Sequence, residues 1–246
     1  MLPTGAASLV FLLGDVVLSG WAPDGEDNPF RWSRGILHGP QARYYTAGPK
    51  PPVVSVGVAL RSGAVAPMVG LPACEIVDQH VPLDELWGNR AATIAERLHA
   101  ATGPNEAFAV LEAELRARLT RPLLMHPAVA HAIARLETGS SRTRISELRE
   151  EVGYSSRHFI ALFRSAIGLT PIQYSRIRRF AAVLRSLTQS GRSDLADLAI
   201  ATGYTDQSHL NRDFREFSGT TPLLYRPRDA GSPHHHSLAP ANPEHR

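Results

Sequence analysis

Two short stretches of this chain carry side chains that can grip a phosphate or read the edge of a base. Arg157 and Arg164 stand in the first, and Gln207, Asn211, Arg212 and Arg215 in the second. A glutamine can bond adenine at two points, an arginine can do the same with guanine, and any arginine can hold a phosphate oxygen. No cofactor is needed for such contacts, and none is expected. The chemistry does need rigid elements that hold these side chains outward at a set spacing.

Those elements are legible as a duplication. Residues 145–174 and 195–225 share one pattern: Gly153-Tyr154 answers Gly203-Tyr204, Phe163 answers Phe214, Gly168 answers Gly219, Thr170-Pro171 answers Thr221-Pro222, and Tyr174 answers Tyr225. The offset grows from 50 to 51 inside the unit, so the second copy has one extra residue. Each copy reads as helix, glycine turn, helix. In the first, Thr143 is expected to cap a helix with Ile145, Leu148 and Val152 on its apolar stripe, and Gly153 supplies the left-handed turn. Ser155 is expected to cap the next, with Phe159, Leu162, Phe163 and Ile167 inward. In the second, Ser193 and Thr205 are the expected caps, and Leu198, Leu210, Phe214 and Phe217 the packing residues. Between the copies, Thr170-Pro171-Ile172-Gln173 has the form of a capping box with proline at the first helical position. The helix it starts is expected to run to about Leu187. At ~1.5 Å per residue it would span roughly 26 Å, a spacer able to hold two probes near one groove repeat apart. A pair of helical hairpins packed only on each other would explain the stripes and caps as well. It would leave the exposed arginines and amides unexplained.

The remainder is of another kind. Residues 1–88 suggest strand and loop, with Val53–Leu60 alternating in period two and Ser8–Leu13 and Asp15–Leu18 as weaker strands. Asn28–Tyr45 shows no period. Helices follow at Asn89–Ala101, at a segment capped by Asn105 with Phe108, Leu111, Leu115 and Leu119 inward, and at His126–Leu136. The tail, residues 228–246, is expected to be disordered. It carries His234–His236, three imidazoles without a preformed metal geometry. The expected division is a β-rich domain with trailing helices at 1–121, a domain of two helix-turn-helix units at 122–227, and the tail. The fold class is α+β. Residues 1–120 carry 9 basic against 12 acidic side chains, and residues 121–246 carry 17 against 11, so the basic excess lies on the duplicated half. No signal-peptide pattern and no membrane-length apolar run stand out. One cysteine, Cys74, forbids an intramolecular disulfide and suits a reducing cytoplasm.

The string Asp197-Leu198-Ala199…Gly203-Tyr204…Asp206-Gln207-Ser208-His209-Leu210…Arg212-Asp213-Phe214-Arg215…Gly219…Thr221-Pro222…Tyr225 resembles the AraC/XylS family of bacterial transcription regulators. The resemblance covers about residues 125–226. It implies that the second helix of each unit enters the major groove, with Gln207, Ser208, Asn211 and Arg212 as readers in the second unit and Ser156, Arg157, His158 and Ala161 in the first. Two positions depart from the family pattern. Ala161 stands where relatives often have a base-reading arginine, and Arg149 stands at a helix crossing where a small residue such as Ala199 is usual. The second unit is therefore expected to dominate reading. The segments Val58–Gly63, Gly70–Ala73 and Val81–Gly88 resemble a β-rich domain found ahead of such units, so the resemblance implies a sensor or association domain at 1–121 and a DNA-binding domain at 122–227. Relatives carry several dozen more residues before the point matching Leu2-Pro3, so a shortened or misassigned start is expected.

The resemblance implies double-stranded promoter or operator DNA as partner, with RNA polymerase and a small-molecule effector beside it, no membrane, and a monomer or homodimer. Trp21, Trp32, Tyr44, Tyr45 and Trp87 are the candidates to line an effector pocket. Two other functions compete. An alkyl-transfer repair enzyme would use Cys74, which lacks the second cysteine of a metal set and reads better as a buried, inert thiol. A non-specific DNA coat would bind phosphates alone, against the polar readers of the second unit. No hydrolase, nucleotide-loop or zinc-protease motif is found, so no enzyme is expected.

Overall fold

In the computed structural model, residues 1–14, 17–23, 30–32, 34–47, 54–119, 125–138, 145–189 and 194–225 are described. The chain forms a β-rich N-terminal region with trailing helices, followed by an all-helical region of two helix-turn-helix units. The strands are β1 (Ala7–Leu13), β2 (Leu18–Trp21), β3 (Phe30–Trp32), β4 (Gly35–His38), β5 (Thr46–Ala47), β6 (Val54–Leu60) and β7 (His80–Pro82). One antiparallel sheet has the order β6-β1-β4-β7, and a smaller one the order β3-β2-β5.

Alternation in β1 explains the layering. Ala7, Leu9 and Phe11 face a core closed by helices α1 (Val65–Val69), α2 (Leu83–Trp87), α3 (Asn89–His99) and α4 (Pro104–Arg118). Leu12, on the other face, joins Leu18, Trp32 and Ile36 under the smaller sheet. β6 shows the expected alternation from Val56 onward, with Val56 and Leu60 buried and Gly57 and Ala59 exposed, but Val54, on the same face as Val56, is exposed at the start of the strand.

Several expectations need correction here. The strand expected at Asp15–Leu18 begins at Leu18, and Asp15 lies outside the described residues. The aperiodic Asn28–Tyr45 stretch contains β3 and β4, which are only three and four residues long, too short to display a period. α4 starts at Pro104 with Gly103 as its N-cap, so Asn105 is inside the helix and caps nothing. Phe108 does not face inward but is 57% exposed, and Glu114 is buried in its stead. The reason is two arginines on α3: Arg90 Nη2 meets Glu114 at 2.9 Å and Arg97 also bonds it, so the carboxylate is sealed with its charge matched. The tail, with His234–His236, lies outside the described residues, as do Thr143 and Ser193.

The helical region comprises α5 (Pro127–Thr138), α6 (Ile145–Val152), α7 (Ser156–Ile167), α8 (Pro171–Gln189), α9 (Leu195–Ala201) and α10 (Gln207–Ser218). α6–α7 and α9–α10 are the two units, and α8 joins them. It extends two residues beyond the expected Leu187 and spans about 28 Å. Its Ile177, Phe180, Val183 and Leu184 are fully buried and bind both units into one core. Phe180 meets the Phe214 ring edge-on at 5.2 Å. Leu2 from the N-terminal region belongs to the same core.

Candidate nucleic-acid interface

The second helix of each unit begins with a side-chain cap. Ser155 accepts the His158 N–H, and Asp206 accepts the His209 N–H at 2.8 Å. The expected cap Thr205 is thus displaced by its neighbour, and Thr205 Oγ1 bonds His209 Nδ1 at 3.0 Å. Asp194 takes the cap of α9, accepting from Ala196 N at 2.7 Å. Both corrections have one cause: adjacent residues of capping type stand at each site, and a carboxylate is the stronger acceptor at a helix N-terminus. The capping box of α8 forms as expected, with Thr170 N donating to Gln173 Oε1 at 3.0 Å and Gln173 N to Thr170 Oγ1 at 3.2 Å.

Matching the caps Ser155 and Asp206 places the extra residue of the second copy at Thr205. It also sets Ser156 opposite Gln207, Arg157 opposite Ser208, His158 opposite His209, Ile160 opposite Asn211, Ala161 opposite Arg212 and Arg164 opposite Arg215. Ser156, Arg157, His158, Ala161, Arg164, Gln207, Ser208, Arg212 and Arg215 are exposed, and Asn211 is half-buried. The opposite faces of the two helices are closed: Phe159, Phe163 and Ile167 in α7, and Leu210, Phe214 and Phe217 in α10. Each helix therefore presents one polar face.

His158 is exposed, yet its ring lies against Tyr154 at 4.9 Å, as that of His209 lies against Tyr204 at 5.1 Å. That shared contact gives both histidines a local packing role. Two residues missed as interface candidates emerge from the cap alignment. Ile160, 37% exposed, puts an apolar side chain where the second unit has an amide. Arg149, at the helix crossing where a small residue is usual, escapes outward, and its Nη1 donates to Ser156 Oγ at 2.6 Å.

The far ends of these helices are gripped by the N-terminal region. Gly168, at φ +91°, closes α7 so tightly against that region that an added Cβ would lie 2.9 Å from Val77 and 3.0 Å from both Pro40 and the Ala73 carbonyl. Gly219, which closes α10, likewise abuts Tyr44. The gripped ends lie about 18 Å from the helix openings. Under α10, Arg176 of α8 bonds both carboxylates of Asp213 and Glu216.

Residues 148–228 match the family model of a helix-turn-helix domain. They are an AraC-type helix-turn-helix domain. Two curated proteins are similar to part of this chain. The HTH-type transcriptional activator AarP of Providencia stuartii is 26% identical over 92 residues, 37% of this chain and 67% of that one. The putative HTH-type transcriptional regulator YkgA of Escherichia coli (strain K12) is 32% identical over 87 residues, 35% of each chain, so this chain matches about a third of that relative. Beyond the AraC-type domain, the crystal structure of ToxT from Vibrio cholerae O395, bound to (E)-4-(8-methylnaphthalen-1-yl)but-3-enoic acid, aligns over 90% of both chains at a TM-score of 0.50 and 11% identity. That likeness extends the shared fold to the β-rich region.

A cavity of about 420 Å³ lies between the two sheets, against Val10, Leu12, Leu18, Trp32, His38 and Tyr45. Trp32 and Tyr45 are therefore the two expected aromatics that reach it. Tyr44 packs on the helical core, Trp87 lies beneath the Arg118 guanidinium at 3.9 Å, and Trp21 pairs with Thr46 in the small sheet. Cys74 sits in a single 3-10 turn, Ala73–Glu75, and is half-buried rather than sealed in the core. Among the described residues no three His, Cys, Asp or Glu side chains gather to hold a metal, and no helix is long and apolar enough to cross a membrane.

Proposed function

We propose that this protein is a sequence-specific transcription regulator that inserts α7 and α10 into adjacent major grooves of double-stranded DNA. One observation carries the reading: two helices capped in the same way expose polar side chains at matching positions near their openings, while their neighbours hold the other ends. Gln207, Ser208, Asn211 and Arg212 read bases in the second unit, with Arg215 on phosphate. Ser156, Arg157, His158, Ala161 and Arg164 make the first unit's contacts, chiefly to the backbone. Residues 122–227 form the DNA-binding domain, and residues 1–121 the sensor or association domain.

In this reading the inter-sheet cavity takes a small-molecule effector, RNA polymerase is a further partner, and the protein acts in the cytoplasm as a monomer or homodimer. It has no catalytic role. The alkyl-transfer alternative would need metal-binding partners beside the half-buried Cys74.

Hydroxyl-radical footprinting of the DNA upstream of the neighbouring genes tests the proposal. Protection on one face of the duplex across two adjacent grooves is expected, with affinity falling steeply as salt rises. Displacement by random duplex as readily as by the protected site would leave only a non-specific coat.

A further inference from the structure

Leu148 of α6 is fully buried, and the next residue, Arg149, stands where the second unit has Ala199. Ala199 is itself completely enclosed. An arginine closed into such a place would strand its charge. Here the side chain is half-buried, and its guanidinium emerges beside the opening turn of α7, bonded to Ser156 Oγ. Ser156 is exposed and occupies the position of Gln207. α6 also carries Glu147, Glu150 and Glu151, yet among the described residues none pairs with Arg149. Glu151 is held instead by His131 and Arg135 of α5, at 2.7 and 3.0 Å.

We infer that Arg149 is a phosphate-binding residue of the first unit, delivered to the DNA-facing end of α7 from the helix behind it. The assignment rests on the DNA-binding reading above. A guanidinium has five N–H donors in a planar fork. The bond to Ser156 uses one and fixes the fork's direction, and others remain for a phosphate oxygen. The first helix of a helix-turn-helix unit is the one that crosses the DNA backbone, so a cation leaving α6 at this end meets phosphate rather than base. The arrangement also suits the composition of α7. Ile160 and Ala161 replace the amide and arginine of the second unit, and Arg149 restores a positive charge at the same end.

The test is a titration of the full chain and of Arg149→Ala against the footprinted site and a random duplex of equal length, at several salt concentrations. Alanine is the residue the second unit carries at this position, and thermal melting checks that the variant folds. Binding of both duplexes should weaken alike, roughly tenfold, and the slope of log affinity against log salt should shrink by about one. Arg149→Lys should recover most of the slope. Arg149→Gln, which keeps a long polar side chain without charge, should lose it, and serves if the alanine variant melts early. Unchanged affinity and slope in both neutral variants would overturn the assignment, as would a loss confined to the specific site. Absence of salt-dependent DNA binding by the wild-type chain would instead bring down the underlying reading, and this inference with it.

Discussion

The Asp213 carboxylate is sealed under α10 and lies 2.8 Å from the Arg176 guanidinium of α8. Asp213 follows Arg212, so the two side chains leave the helix about 100° apart. Anchoring one inward aims the other outward. Arg176 also bonds Glu216 and lies 5.0 Å from the centre of the Phe217 ring. Replacing Arg176 with methionine should leave a buried, uncompensated carboxylate and cost about 3–5 kcal/mol. Urea unfolding measures this, and adding Asp213→Leu should recover much of the loss.

Arg212→Ala should weaken specific DNA binding by about 1–3 kcal/mol and relax preference at one base pair. Arg157→Ala should weaken specific and random duplex alike. Selection of preferred sites from a random pool separates the two. A larger specific loss for Arg157→Ala would reverse the ranking of the two units.

Acid should loosen the start of α10. The Asp206 carboxylate accepts the His209 backbone N–H, which holds its titration below the ordinary carboxylate range. Its contribution is complete above the unfolded value near 3.9 and fades as pH falls through the lower folded value. Asp206→Asn keeps a capping oxygen that does not titrate. The protection factor of the His209 amide, its exchange relative to the intrinsic rate at each pH, should fall from pH 5 downward in the wild type more than in that variant.

A second pH effect belongs to the β-rich region. Burial lowers the His80 imidazole to about 4, and its Nδ1 lies 2.6 Å from His38 Nδ1. In the unfolded chain this ring takes up a proton near 6.5, whereas the folded chain refuses it until about 4. Stability from this group is therefore complete above 6.5 and declines as pH drops toward 4. Thermal melts across that window should fall more steeply for the wild type than for His80→Gln.

The helical region was largely legible because its signals are local. Thr170 and Gln173 sit three residues apart as a capping box requires, and the buried stripes Phe159/Phe163/Ile167 and Leu210/Phe214/Phe217 repeat at helical spacing. The misplaced cap at Thr205 had a local cause too: Thr205 and Asp206 are adjacent residues of capping type, and the carboxylate takes the position. The β-rich region depends on distant partners. β3 and β4 are recognisable through their pairing with β2 and β1, which no short window contains. Glu114 can be buried because Arg90 and Arg97 approach from another helix, and the inward stripe of α4 then runs through Ala107, Leu111 and Glu114, with Phe108 beside it. Arg149 was visible as an anomaly, but its direction was not, because outward escape toward Ser156 depends on how α6 crosses α7.

Gly168 and Gly219 occupy corresponding positions in the two units, and both are pressed by the N-terminal region, one by Pro40 and the Ala73–Val77 segment, the other by Tyr44. Pro40 and Tyr44 lie four residues apart on the strand-to-strand connection after β4. That connection acts as a crossbar clamped to the butts of both prongs of a fork. A shift of the crossbar would be felt at both prongs together, and neither could pivot freely without dragging the sheet edge along.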